Sequence, residues 1–320
     1  MKQSTRERLK TAPTPMAGLA LGIGSLGWCW ENAGTFHGHM QTLGASIAGI
    51  LLLILVAKFL LHPKLLLADL AHPVVGSVVP TFAMATMVVS KAVGGSVGSA
   101  MWLLAVILHL SFLATFTWHR ARQFELSHMV PSWFVPPVGI IVADVASPGG
   151  ALAPLANVLL WFGIISYGLL LPTMLYRLIF RAEVPDAAKP TMAILAAPAS
   201  LSLAGYLTVS KQPSLLLVAV LLGIAVLMTA VIYLAFFRLL RLPFSPGYAA
   251  FTFPMVIGAT ALFKTSALFS RQQLSAAGAA ELQQLAMLEL GVATVIVSYV
   301  ALRYLMAFLP AKATTALTAG

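Results

Sequence analysis

Apolar residues run along this chain in ten long blocks, at about 15–32, 41–62, 75–93, 96–118, 131–147, 152–178, 190–208, 214–240, 247–269 and 283–309. Each block approaches the ~20 residues that an α-helix needs to cross a hydrocarbon core. The pattern therefore predicts an all-α membrane protein with ten transmembrane helices over 15–309. Residues 1–14 and 310–320 read as short tails, and no stretch between blocks exceeds about a dozen residues, too few for an attached soluble domain. The basic start followed by an apolar run has the outline of a signal peptide, but "WCWENAG" follows where a small-x-small cleavage site belongs, so the run is kept as the first span.

The blocks differ by parity. Even-numbered ones are Leu-rich and end in Lys or Arg, as in "GILLLILVAKFLLHPK", "LLLPTMLYRLIFR", "AVIYLAFFRLLR" and "YVALRYLMAFLPAK". Odd-numbered ones are interrupted by Pro, Gly and Ser, as in "PMAGLALGIGSLGW", "VGSVVPTFAMATM", "PSWFVPPVGIIVADV", "PTMAILAAPASL" and "FTFPMVIGATALF". A proline removes a backbone donor and displaces the carbonyl four residues back. Exposed to lipid, such groups cost several kcal/mol, whereas backbone facing protein or lining a cavity tolerates them. We therefore expect five helical hairpins in a quasi-fivefold array, with the odd helices inside, lining a pore. Candidate pore-lining and kink positions are Gly22, Gly24, Pro80, Pro137, Pro198, Pro254 and Ile257.

Composition agrees with a membrane origin. Of the 320 residues 60% are hydrophobic and 9% charged, against about 25% charged in soluble domains. Fifteen of the 19 Lys and Arg lie at one set of block ends, while Lys91, Lys211, Lys264 and Arg271 lie at the other. Because positive residues stay on the cytoplasmic side, both termini are expected inside the cell, the protein crossing the inner (plasma) membrane several times. The net charge of +10 is thus mostly a topology signal, and its scatter over short loops argues against nucleic acid as a partner.

Catalytic chemistry finds little support. "GIGSLG" matches a dinucleotide fingerprint but lies inside an apolar span with no preceding strand, so its glycines read as close-packing or channel positions. The seven histidines show no paired metal-ligand spacing, the one cysteine, Cys29, excludes a cysteine cluster, and no serine has a plausible base. No cofactor, metal site or enzyme activity is expected. His109 and Asp144 are intramembrane ionisable residues, candidates for function by position. Acids are scarce otherwise, which disfavours a cation route. Lys91, Lys211 and Lys264, at the outer ends of odd helices, would instead draw anions into a vestibule, snorkelling being the alternative.

"PMAGLALGIGSLGWCW", "HPVVGSVVPTFAMATM", "PSWFVPPVGIIVA" and "AFTFPMVIGATAL" together resemble the tellurite-resistance/dicarboxylate transporter family, which includes TehA-like bacterial proteins and the slow anion channels of plant guard cells. The resemblance implies a homotrimer in the lipid bilayer, with one proline-kinked pore per protomer closed by a phenylalanine on the ninth helix. It implies small inorganic or organic anions as substrates, from chloride and nitrate to malate and sulfite. It maps the gate to Phe253, with Thr252 where the family string has serine. Residues two apart on a helix stand about 200° apart, so Phe251 and Phe253 cannot both face the axis. The Phe253 face continues through Ile257 and Thr260 to Lys264, while Phe251 shares its side with Met255 and Gly258. A proton-coupled carrier of C4-dicarboxylate, sulfite or tellurite-type oxyanions is the competing expectation, with Asp144 or His109 as its titratable group.

Overall fold

A computed structural model describes residues 5–308, and among these the chain is helical throughout, with no strand. The α-helices are α1 (Thr5–Lys10), α2 (Met16–Ala33), α3 (His39–Leu61), α4 (Pro63–Ala71), α5 (Val75–Val78), α6 (Thr81–Val93) and α7 (Gly95–Arg122), followed by α8 (Val135–Val138), α9 (Val142–Val145), α10 (Ala153–Phe180), α11 (Ala197–Val209), α12 (Leu215–Leu239), α13 (Thr252–Arg271) and α14 (Ala276–Phe308). Tighter 3-10 turns at Pro131–Phe134, Gly139–Ile141, Asp186–Ala196 and Pro246–Phe251 lead into or interrupt the buried segments.

Eight continuous helical segments are long and apolar enough to cross a membrane: His39–Leu61, Val75–Val93, Gly95–Arg122, Gly150–Phe180, Asp186–Val209, Leu215–Leu239, Pro246–Arg271 and Ala276–Phe308. Two of the ten expected spans differ from these. The first is α2, whose 18 residues include four glycines, Glu31 and Asn32, which dilute its hydropathy. The fifth is a 15-residue apolar stretch, Pro131–Val145, divided into alternating α and 3-10 turns.

Burial separates the two kinds of segment. In Val75–Val93, Asp186–Val209 and Pro246–Arg271, 61%, 78% and 72% of the most apolar window is buried, whereas the smooth helices between them reach no more than 39%. The smooth helices show large apolar side chains outward, such as Leu53 and Leu60 on α3, Leu104 on α7, Leu169 on α10 and Leu234 on α12, as a surface in contact with lipid does. The irregular segments pack on one another in sequence. α2 contacts α6, α6 contacts α9, α9 contacts α11, α11 contacts α13, and α13 returns to α2. Each also packs against the smooth helix that follows it, most extensively α2 on α3 and α13 on α14.

The prolines account for the irregularity in a different way from the sequence expectation. None of those on the inner segments breaks the middle of an α-helix. Pro15 and Pro80 are the N-caps of α2 and α6, Pro136 and Pro198 the second residues of α8 and α11, and Pro137 and Pro254 the third residues of α8 and α13. The first turn of a helix has N–H groups without intrahelical partners, so a residue lacking one costs least there. The feature that looks like a kink is a junction between 3-10 and α geometry, with the proline seated just past it.

Carbonyls freed by these junctions are met by side chains from neighbouring segments. His109 Nε2 of α7 lies 2.8 Å from the Pro136 carbonyl, Trp102 Nε1 of α7 donates to the Ala143 carbonyl at 2.8 Å, and the Tyr304 hydroxyl of α14 donates to the Pro246 carbonyl at 2.5 Å. His109 and Trp102 are fully buried. Replacing His109 with leucine would leave the Pro136 carbonyl without a donor, and we expect a stability loss of about 1–3 kcal/mol. Thermal denaturation of the detergent-solubilised protein would register it, with His109→Gln, which keeps an N–H, recovering part of the loss.

Candidate functional site

A cavity of about 550 Å³ opens among the N-terminal ends of all five irregular segments. Its lining follows helical spacing on each: Gly18 and Leu21 on α2; Val75, Val78, Thr81 and Met84 across α5 and α6; Val135, Val138 and Gly139; Ile194, Pro198 and Leu201; and Pro246, Ala250 and Phe253. Residues three or four apart share a helix face, so each segment turns one stripe toward the same space. The wall extends no further along the segments than Leu21, Met84, Gly139, Leu201 and Pro254. Phe253 thus stands at the deep end.

The two phenylalanines of "FTFP" divide as helical angle suggests. Phe251 is fully buried, its ring 4.8 Å from Tyr248 and 5.4 Å from Phe236 between centroids. Phe253 lines the cavity and belongs to no ring–ring pair among the described residues. Thr252 anchors the turn between them. Its hydroxyl donates to the Ala249 carbonyl at 2.7 Å and lies 3.2 Å from the Gly18 carbonyl of α2.

Of the other candidate lining residues, Pro198 and Pro254 face the cavity, while Gly22, Gly24, Pro80, Pro137 and Ile257 are not part of its wall. The two glycines stand where neighbouring helices come close. α2 is a continuous helix through both. A Cβ on Gly22 would stand 2.3 Å from Thr252 Oγ1 and 3.3 Å from the Phe253 backbone nitrogen. A Cβ on Gly24 would meet Val88 and Ala48 at 3.3 and 3.4 Å. The absence of a side chain lets helices approach, as in the small-residue contacts of membrane bundles. Ile257 is 4% exposed, one turn past the end of the cavity wall on the Phe253 face.

Basic residues approach this cavity from the end rich in Lys and Arg. Lys10 and Lys58 are in its wall, beside Asp69. Lys58, 5% exposed, donates to Thr14 Oγ1 at 3.0 Å and lies 3.9 Å from Asp69, while the Thr14 hydroxyl donates to Asp69 at 2.5 Å. Sequence reasoning placed Lys58 only among the topology charges, because it sits at the end of a smooth helix. Its signal was the proximity of a lysine to the following "HPKLLLAD", which folds back as α4 and brings Asp69 to it.

The three lysines expected at the opposite mouth have different settings. Lys264 is half-buried on α13, and Lys91 is exposed near the end of α6. Lys91 Nζ donates to the Ser147 carbonyl at 2.8 Å. Lys211 is exposed in the turn between α11 and α12, with no polar partner among the described residues. Cys29 is buried, and no three ligand-type side chains gather as a metal site among the described residues.

This geometry, an apolar cavity walled by irregular segments within a lipid-facing shell, fits a route across a membrane. The family model for a voltage-dependent anion channel matches residues 13–308. Two uncharacterized transporters of Methanocaldococcus jannaschii are similar in sequence. One is 26% identical over 237 residues, covering 64% of this chain and 68% of its own length; the other is 27% identical over 231 residues, covering 62% and 66%. The chain is a membrane transport protein that belongs to the voltage-dependent anion channel family, the tellurite-resistance/dicarboxylate transporter group.

Proposed function

We propose that this chain is an anion channel, or channel-like transporter, in which Phe253 closes a passage walled by the five irregular segments. The observation that carries this reading is the cavity whose stripe of lining residues from every irregular segment ends at the level of that ring. Family membership supports anions as the class of substrate. An apolar constriction gates by steric closure and dewetting, and lysines in low-dielectric walls concentrate anions at the entrance.

The finer architecture belongs to the same proposal. Counting α2 and Pro131–Val145 with the eight long segments gives ten crossings, paired as five hairpins around the passage. The excess of Lys and Arg at the cavity end supports both termini lying in the cytoplasm of a cell whose inner membrane holds the protein, and the reading takes the chain to act as a homotrimer. Native mass spectrometry in detergent would give three times the 33.9 kDa chain mass if so.

The direct test is reversal-potential measurement in planar bilayers under gradients of chloride, nitrate, sulfite and malate salts. We expect the potential to follow the anion, with no dependence on exchanging potassium for a larger cation. A potential set by the cation would overturn the reading. Replacing Lys58 and Lys10 by glutamine should lower anion conductance chiefly at low salt, where screening is weak. The carrier alternative draws on one observation, the buried Asp144; uptake driven by a pH gradient without current would favour it.

A further inference from the structure

Three charged side chains belong to the cavity wall, and the rest of the wall is apolar or hydroxyl-bearing. Lys10, at the end of α1, is exposed, and Asp69, on α4, is partly so. Lys58, in the last turn of α3, is buried. An enclosed ammonium ordinarily closes on a carboxylate, because an unpaired buried charge is costly. Here the closure is incomplete. Lys58 Nζ lies 3.9 Å from Asp69 Oδ2, an ion-pair distance beyond the reach of a hydrogen bond.

Thr14 stands between the two charges. Its hydroxyl accepts from Lys58 Nζ at 3.0 Å and donates to Asp69 Oδ2 at 2.5 Å, so its single O–H is spent on the carboxylate. Thr14 is 5% exposed and immediately precedes Pro15, the N-cap of α2, which ties its position to the start of that helix. The ammonium also lies 4.8 Å from the centroid of the Phe59 ring, a favourable setting for a cation. Of the three N–H donors an ammonium carries, one is taken by Thr14, and the other two have no acceptor among the described residues. They belong to a side chain of the cavity wall, where apolar surroundings strengthen attraction to an anion.

The spacing matters because conduction requires binding favourable enough for entry and weak enough for exit. A carboxylate bonded directly to Lys58 would cancel its charge and use its donors, whereas an ammonium with no carboxylate nearby would hold an anion too well. We propose that Lys58 is an anion-binding residue of the cavity and that Thr14 is its positioning residue: by keeping Asp69 one hydroxyl away, Thr14 leaves the ammonium able to take a small monovalent anion with a weak hold. This deepens the anion-route reading and rests on it.

The test uses the full-length protein purified in detergent, with chloride exchanged for gluconate at constant ionic strength and thermal stability as the readout of occupancy. Lys58→Gln should abolish the chloride-dependent stabilisation. Thr14→Val keeps the shape but lets Asp69 close on Lys58, and should raise the chloride concentration at half-maximal stabilisation by about tenfold. Thr14→Ser, which retains the hydroxyl, should recover most of that loss, and Asp69→Asn should move the midpoint to lower chloride. In a Phe253→Ala background, Thr14→Val should shift the half-saturating chloride concentration of the current by the same factor. If Lys58→Gln or Thr14→Val melts at a lower temperature yet responds to chloride as wild type does, the trio is a structural latch and the site is overturned. An unmoved midpoint in Asp69→Asn overturns it equally, whether or not Lys58→Gln folds. Midpoint shifts as expected in a Phe253→Ala protein that passes no anion current would leave the site standing and reject the channel reading.

Discussion

Phe253→Ala raises anion current by about tenfold or more in a voltage-clamped bilayer, corresponding to at least about 1.4 kcal/mol of occlusion removed. The expectation follows from what surrounds the ring. Phe253 borders open cavity on one side and belongs to no ring–ring pair among the described residues, so its removal widens the route without undoing a packed aromatic cluster. Phe251→Ala is the control. That ring sits among Tyr248 and Phe236 with no exposure, and its loss should cost about 3–5 kcal/mol of stability with no comparable gain of current. If Phe251→Ala conducts and Phe253→Ala does not, the gate has been assigned to the wrong ring.

Gly22→Ala should destabilise the contact of α2 with the turn that carries Phe253. Its added methyl would meet the Thr252 side chain at 2.3 and 2.5 Å, well inside contact distance. Overpacking of this kind costs about 1–3 kcal/mol, and relief requires α2 to move away from the turn that carries Phe253. Thermal denaturation should show the loss, and current recordings should show altered basal leak, because the same turn positions the ring. Thr252→Gly removes both clashing atoms. Combined with Gly22→Ala, it should destabilise less than the two single losses added together; strict additivity would mean that the two positions do not meet.

Segment positions were largely legible in the sequence, because hydrocarbon thickness sets a length that polar residues must interrupt. The block at 75–93 coincides with α5 and α6, and that at 214–240 with α12 to within one residue at each end. Parity was legible too, since Pro80, Pro198 and Pro254 appear only where backbone irregularity can be covered. Their exact role was not. A proline in an apolar run looks the same whether it breaks a helix or begins one, and the preceding 3-10 turn at Pro246–Phe251 has no periodicity of its own that a sequence displays.

Short interfacial pieces were missed for a related reason. α1 and α4 have six and nine residues, too few to register as blocks, yet α4 carries Asp69 to Lys58. Residues 310–320, expected as a tail, lie outside the described residues. The different facing of Phe253 and Phe251 was readable because helical angle separates them. For Gly22 and Gly24 the sequence left two readings open, because a glycine that admits a neighbouring helix and one that leaves room for a permeant have the same letter and the same spacing.

The side chains that reach inward to Pro136, Ala143 and Pro246 come from α7 and α14, helices whose opposite faces are turned outward. The backbone of the irregular inner segments is therefore held partly from the periphery of the fold. A lipid or small molecule seated against α7 or α14 thus has a hydrogen-bonded lever on the inner backbone within one side chain's reach.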